Sequence, residues 1–490
     1  VNLSEKSYNT IFISSCDHYS GTPNHGLFQM FLYFKNILKE DCAFLCTHQK
    51  RFKHEDSYDI SSLGGGLPLS HQINIQLVNI QDPRTWNESK QYKNSYNPDL
   101  IHSENIDNIL NNLPKHKNVI LGDRVDVGDL FLSKILTHFK SKLILVTMVH
   151  NAHTGKCAFP HGQYGCDKYK HKEGCFNCPD FRDKVWSIAE RYDNETEENK
   201  RIILDSVYKL GKISSPQDSF ISHDKFVKRH KDSMFLNAGS SYSLEQANQS
   251  YLYKDVQKEI IPLKTVKDIA TNKEQIIGLK KANKEIISNM LNNFDHPLMK
   301  INNIDMSKIN NICHWSSFDP TSRRKGMKEF IDSLFLLKSK YMTEEEYNST
   351  LFIISGAEKK AALLQSMFPE NTKFIFTGFV DSESIKIINL ASDVFCCTTL
   401  EDAGPRTVPE SVVCGTPVVS FDRCIAKDLV TNKNGRIVET GDVDSFAKGI
   451  SEILLSSDED KEKMSYECIR MYQDFYDDKK ICEKWRKVLN

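Results

Sequence analysis

The sequence predicts an α/β protein made of two doubly wound parallel sheets. Three observations carry that expectation. The chain has 490 residues, whereas one ordinary domain runs to roughly 100–200, so two or three domains are expected. Short apolar runs alternate with stretches of helical apolar spacing in both halves, the pattern of strands joined by crossover helices. Between the halves lies a polar connection, and the boundary is placed there, near residue 265.

In the first half, Thr10-Ile-Phe-Ile-Ser-Ser-Cys16 reads as a buried strand. The turn-rich loop Gly21-Thr-Pro-Asn-His-Gly26 follows, and Leu27 to Leu38 has helical spacing. The unit recurs where Asn118-Val-Ile-Leu121 precedes the loop Gly122 to Gly128, a helix from Leu130 to Phe139 and a strand from Leu143 to Met148. Ile260-Ile-Pro-Leu-Lys264 reads as a strand ending in a linker, and Asn272 to Asn293 as a polar connecting helix.

From about residue 300 the alternation is more regular. Ile312 to Trp315 is strand-like before a helix through Lys328 to Lys338. Leu351 to Ser355 precedes a helix through Lys360 to Met367, and Phe374 to Phe376 precedes one through Ser384 to Leu390. Asp393 to Cys397 leads to a helix beginning near Thr407, and Pro417 to Phe421 is a further short strand. After an acidic break at Asp474 to Asp478, a helix from Lys479 to Leu489 closes the chain. The expected domains are 1–265, holding a Cys-rich insert at 153–180, and 266–475, with the last helix, 476–490, crossing back onto the first domain.

Composition narrows the function. Lys and Arg number 64 against 65 Asp and Glu, and without a basic excess obligate nucleic-acid binding is disfavoured. Apolar runs such as Lys142 to Val149 fall far short of the roughly 20 residues a membrane-spanning helix needs. The opening residues lack a signal-peptide pattern, so a cytoplasmic chain is expected, and the 14 cysteines read as buried thiols or metal ligands before disulfides.

The most informative stretch is Thr399-Leu-Glu-Asp-Ala-Gly-Pro-Arg-Thr-Val-Pro-Glu-Ser-Val-Val-Cys-Gly-Thr-Pro-Val-Val-Ser-Phe-Asp422. A strand ends, a Gly-Pro loop follows, and a helix begins whose free N–H groups favour an anion. Asp402 and Glu410 stand either side of that helix start, where two carboxylates suit the hydroxyls of a sugar nucleotide. The plainer reading is a capping Asp402 and a Glu410 favoured by the helix dipole. Upstream, Arg323-Arg-Lys-Gly326 follows the first strand of this half, where an Arg fork and a Lys point charge can clamp a diphosphate. An exposed basic turn would read the same.

Asp402, Pro405, Thr407-Val408, Glu410 and Cys414-Gly-Thr-Pro-Val-Val419 resemble the acidic-x7-Glu signature of retaining GT-B glycosyltransferases, glycosyltransferase family four, in the subgroup that builds bacterial surface polysaccharides such as colanic acid, O-antigen and capsule. The resemblance implies two Rossmann-like domains facing a central cleft. It assigns the donor ribose to Glu410, the transferred sugar to Asp402 and Gly404, and the diphosphate to the helix start at Thr407, with Pro405 and Arg406 in the intervening loop. Arg324 and Lys325 become the diphosphate clamp, although Arg323 and Arg324 cannot be separated by sequence. Glu358 and Phe379, at the ends of the next two strands, are implied donor contacts. Asp402 is itself a departure, since many members carry Glu there, followed by Gly-Phe-Gly.

In the first half, His150 matches a histidine that contacts the transferred sugar in that family, with His153 in reserve, and Gly21 and Gly26 match a loop that approaches donor or acceptor. Cys157, Cys166, Cys175 and Cys178 lie within 22 residues and read either as a closed, structural zinc site or as unmetallated thiols; the segment also resembles a cysteine-bearing insert of the same subgroup. Cys42, Cys46, Cys396, Cys397 and Cys414 read as core.

The resulting expectation is a retaining, metal-independent hexosyltransferase. It would move a sugar from a UDP- or GDP-type donor to a glycan or lipid-linked acceptor, with no cofactor needed for catalysis. The alternatives are a GT-B sugar-nucleotide epimerase or hydrolase and a non-catalytic scaffold with a zinc knob. The basic stretch Lys225 to Lys231 reads either as a peripheral membrane contact or as a solvated helix face.

Overall fold

The computed structural model describes residues 5–14, 22–46, 75–77, 110–111, 113–122, 129–147, 165–176, 216–264, 268–293, 304–317, 320, 322–356, 366–378, 380–404 and 406–490. The described residues divide into two compact units, one ending at Leu263 and rejoined by Ile481–Asn490, the other spanning Lys264–Lys480.

The first unit holds β1 (Ser7–Ser14), α1 (Thr22–Tyr33), β2 (Cys42–Cys46), β3 (Ile75–Leu77), β4 (Lys115–Leu121), α2 (Asp129–Phe139) and β5 (Lys142–Val146). It continues with α3 (Pro216–His230), β6 (Met234–Asn237), α4 (Ser241–Gln249) and β7 (Gln257–Glu259). The strands make one seven-stranded sheet in the order β3-β2-β1-β4-β5-β6-β7, every described pairing being parallel. Strands buried on both faces are continuously apolar: Ile11, Phe12 and Ile13, then Val119, Ile120 and Leu121, are at most 1% exposed. The sequence places the last strand at Ile260 to Lys264, but the edge strand is Gln257–Glu259. Its polar residues suit a sheet edge, which apolar pattern alone does not reveal.

The second unit begins with α5 (Lys273–Asn293), then β8 (Asn311–Ser316), α6 (Met327–Leu336), α7 (Glu344–Asn348), β9 (Thr350–Ser355), β10 (Lys373–Gly378), α8 (Ser382–Ala391) and β11 (Val394–Cys397). Next come α9 (Thr407–Val413), β12 (Val418–Phe421), α10 (Ala426–Leu429), β13 (Gly435–Val438), α11 (Val443–Leu454), α12 (Asp458–Phe475) and α13 (Asp478–Leu489), whose residues from Ile481 onward belong to the first unit. Six parallel strands run β10-β9-β8-β11-β12-β13. That is the doubly wound order, which reverses direction between β8 and β11. Local signals set the helices: Asp381, Asp442 and Ser457 cap α8, α11 and α12, and Thr343 with Glu346 forms a capping box on α7. In α11, Phe446, Ala447, Ile450, Ile453 and Leu454 share one buried face.

The final turns of α13 complete the first unit. Trp485 stacks edge-on against Phe34 at 4.9 Å, and Lys142 Nζ and Asn118 Nδ2 donate to the carbonyls of Val488 and Leu489. No described helix is long and apolar enough to cross a membrane. Lys225 to Lys231 falls on α3 and its end, where Phe226 and Val227 are buried and Lys225, Lys228 and Arg229 face outward or partly so. The expected helix at Lys360 to Met367 lies mostly outside the described residues.

Candidate functional site

The basic turn and the acidic loop meet because their strands are neighbours. β8 and β11 pair in parallel although β9 and β10 separate them in sequence. Open α/β sheets bind ligands beyond the carboxyl ends of strands at such a reversal of order. After β8, Arg323–Lys325 form one tight helical turn, and Gly326 leaves it with φ 71°. A β-carbon on Gly326 would lie 1.9 Å from the Thr398 carbonyl oxygen, so only glycine lets the turn approach the end of β11.

Backbone and side-chain bonds hold that approach. Leu400 N–H donates to the Arg324 carbonyl at 2.8 Å, and the Thr398 hydroxyl donates to the Lys325 carbonyl at 3.2 Å. Trp315, buried on β8, donates its indole N–H to the same Thr398 oxygen at 2.9 Å.

Three charges then converge. Lys325 Nζ and Arg324 Nη1 lie 2.6 and 2.8 Å from the same oxygen, Asp402 Oδ2. Asp402 Oδ1 accepts the Gly404 N–H at 3.2 Å, and the Cys424 thiol donates to the Asp402 carbonyl at 2.9 Å. Burial opposes the Asp402 charge, but Lys325 and Arg324 outweigh it and hold the carboxyl well below the usual range. The side chains are 27% exposed at Arg324, 15% at Lys325 and 14% at Asp402, so the cluster is sheltered but reachable. Arg323 turns away: it pairs with Glu329 at 2.8 Å and is 54% exposed. The structure thus separates two arginines that the sequence leaves equivalent.

Beyond the loop, Thr407 opens α9 and Arg406 Nη2 lies 3.2 Å from Glu410 Oε1, one turn apart. Burial pushes the Glu410 carboxyl up, and the Arg406 charge and hydrogen bond pull it partly back. Gly404 is exposed with open space where a β-carbon would stand. Chemically, two cations facing one carboxylate leave a surplus positive charge with N–H donors suited to a phosphate, and Glu410 supplies a hydrogen-bond acceptor for hydroxyls.

His150, Pro405, Glu358, Phe379 and Gly21 lie outside the described residues. So do Cys157 and Cys178; Cys166 and Cys175 are half-buried, Cys175 against the core of the first unit. Among the described residues no three or more His, Cys, Asp and Glu side chains gather as a metal cage. Cys42, Cys396, Cys397 and Cys414 are buried. The contributions of Gly326, Thr398, Trp315 and Cys424 are not visible in local sequence. A glycine directly after the basic turn hints at the place of Gly326, but nothing local names its partner across the sheet.

Comparison with known proteins bears on the fold and on the second unit. Residues 320–470 match the family model described as glycosyl transferases group 1, a stretch that contains Arg323 to Lys325, Asp402 and Glu410. Solved structures similar over nearly the whole chain include HepE of Anabaena in complex with UDP-glucose (12% identity, 98% of this chain and 99% of that one, TM-score 0.53). Sucrose-phosphate synthase of Thermosynechococcus elongatus matches with 10% identity over 98% of each chain and a TM-score of 0.56. A glycosyltransferase of Rickettsia africae matches with 13% identity over 99% and 98% and a TM-score of 0.54. No curated protein matches the sequence significantly. The fold class is GT-B, that of these glycosyltransferase neighbours.

Proposed function

We propose that the protein is a nucleotide-sugar-dependent glycosyltransferase that retains anomeric configuration. The observation that carries the reading is the convergence of Arg324, Lys325 and Asp402 at the β8/β11 reversal, with Glu410 on the helix that follows. The match of that segment to glycosyl transferases group 1, and the UDP-glucose bound by HepE, support it.

In this reading Glu410 accepts hydrogen bonds from the donor ribose, held ready by Arg406. Arg324 and Lys325 bind the diphosphate and stabilise the charge that grows on it as the bond between the anomeric carbon and the β-phosphate oxygen breaks. An acceptor hydroxyl oxygen forms the new bond on the same face, and its proton passes to the departing phosphate oxygen. The products are the glycosylated acceptor and a nucleoside diphosphate. Because two fixed cations carry the leaving-group charge, the residues present need no divalent metal for that task. The acceptor class proposed is a glycan or lipid-linked glycan of a cell-surface polysaccharide, handled in the cytoplasm or at the cytoplasmic membrane face; the sequence likeness to that subgroup supports it.

Nucleotide release from UDP-, GDP- and dTDP-sugars, with and without crude lipid-linked acceptor, tests the reading, with Glu410→Ala and Lys325→Ala as controls. Acceptor-stimulated release with one donor, abolished in both variants, is expected. Release indifferent to acceptor would point to epimerase or hydrolase chemistry, and no release with any donor would sink the proposal.

A further inference from the structure

Resting on the function proposed above, a second role for Asp402 follows from its contacts. The resemblance to family four gives this position to the hydroxyls of the transferred sugar. In the structure its carboxylate is engaged elsewhere: Oδ2 takes charge-assisted bonds from Lys325 at 2.6 Å and Arg324 at 2.8 Å, and Oδ1 takes the Gly404 N–H at 3.2 Å. A carboxylate offers about four lone-pair sites, and three are in use. The two cations that would receive a diphosphate are already facing an anion.

The contact is fixed from both sides. Leu400 and Thr398 bind the backbone of the Arg324-Lys325 turn, and Cys424 donates to the Asp402 carbonyl, so neither partner can drift away without breaking several bonds. Lys325 and Asp402 are only 15% and 14% exposed, which limits screening of the pair by water and salt. A diphosphate entering here meets a positive potential reduced by one neighbouring negative charge.

We infer that Asp402 is a built-in competitor of the diphosphate for Arg324 and Lys325, and that its task in turnover is to reclaim these cations as the nucleoside diphosphate product leaves. Full neutralisation of the cations by product would hold it tightly. Sharing them with a fixed carboxylate weakens binding of the product, on which the leaving-group charge is complete, while both cations stay in place to meet the charge that grows on the leaving group in the transition state. Asp402 is then a positioning residue for product release, acting through Arg324 and Lys325.

The test is calorimetric titration of UDP and GDP into the full chain and into its Asp402→Asn, Asp402→Ala and Asp402→Glu variants, alongside product-inhibition constants in the release assay. Competition predicts that Asn and Ala bind the preferred nucleoside diphosphate about 3- to 10-fold more tightly, a difference of under ~1.4 kcal/mol, whereas Glu, which keeps the charge, stays near the parent. Inhibition by added product should strengthen in parallel. A merely structural role weakens binding in Asn and Ala, and a sugar-only role leaves nucleoside diphosphate binding unchanged; either result overturns the inference while leaving the glycosyltransferase reading intact. If the parent chain binds neither UDP nor GDP, nor dTDP titrated in the same way, both fall together. Should Asn fail to fold, Ala and the Glu comparison carry the same discrimination.

Discussion

Gly326 and Thr398 stand so close that a β-carbon on the glycine would fall 1.9 Å from the threonine carbonyl oxygen. Gly326 also has a left-handed backbone, φ 71°. These two constraints fix where the Arg324-Lys325 turn sits against the end of β11. Gly326→Ala should therefore cost about 2–4 kcal/mol, from strained φ and the forced backbone shift together. Urea unfolding measures the stability, and UDP or GDP titration the site; a variant that keeps both parental values would show that the approach is not required.

The three basic residues of the turn should separate in function. Arg324→Ala and Lys325→Ala each lose a charge-assisted contact at the cluster, and donor affinity should fall about 10- to 100-fold. Arg323, itself 54% exposed, instead pairs with the buried Glu329 away from the cluster, and Arg323→Ala should change affinity less than about 3-fold. Equal losses in all three would contradict the geometry.

Under the proposed function Glu410 accepts from the donor hydroxyls most strongly when ionised, yet burial pushes its carboxyl up and Arg406 pulls it back. Arg406→Ala removes the restraint, so protonation should begin at higher pH. Donor binding measured from pH 5 to 8 should lose its acid limb at a higher pH than in the parent. An unchanged profile would mean that Arg406 does not govern Glu410.

His314 lies at the centre of β8, fully buried between Asn389 Oδ1 at 2.8 Å and Ser355 Oγ at 3.0 Å. Burial lowers its pKa from the ordinary 6.5 to about 4, with the Asn389 hydrogen bond opposing. Between those values the unfolded chain binds a proton that the folded chain refuses, so stability falls as pH drops from 6.5 towards 4. The expected loss from this group is about 3 kcal/mol. His314→Asn, which cannot titrate, should show a shallower slope of unfolding free energy against pH; identical slopes would refute the assignment.

The fold class was legible in the sequence because strands buried on both faces write themselves as apolar runs, and Ile11 to Ile13 and Leu351 to Ile354 are such runs. Where burial does not dictate composition, legibility fails. Gln257–Glu259 is polar because it is an edge strand, and the sequence puts the strand three residues later. Met234–Asn237, a buried four-residue strand, was not picked out, being too short to establish a period against its polar flanks.

By itself, the sequence determined the residue types of the candidate site and the local elements that carry them: a basic turn after one strand, an acidic loop and short helix after another. Which of them meet was decided by tertiary structure. Asp402 lies 78 positions from Arg324 and 77 from Lys325, and they touch because β11 pairs with β8, an adjacency set by strand order. Local pattern cannot encode that order, because propensity and periodicity act over a few residues whereas strand pairing is settled by burying two long-separated apolar runs side by side. The same pairing gives Arg324 its partner Asp402, whereas Arg323 finds Glu329 only six residues along the chain, on α6. One residue of helical turn changes a side chain's direction, and it is the loop after the neighbouring strand that makes the direction of Arg324 meet Asp402.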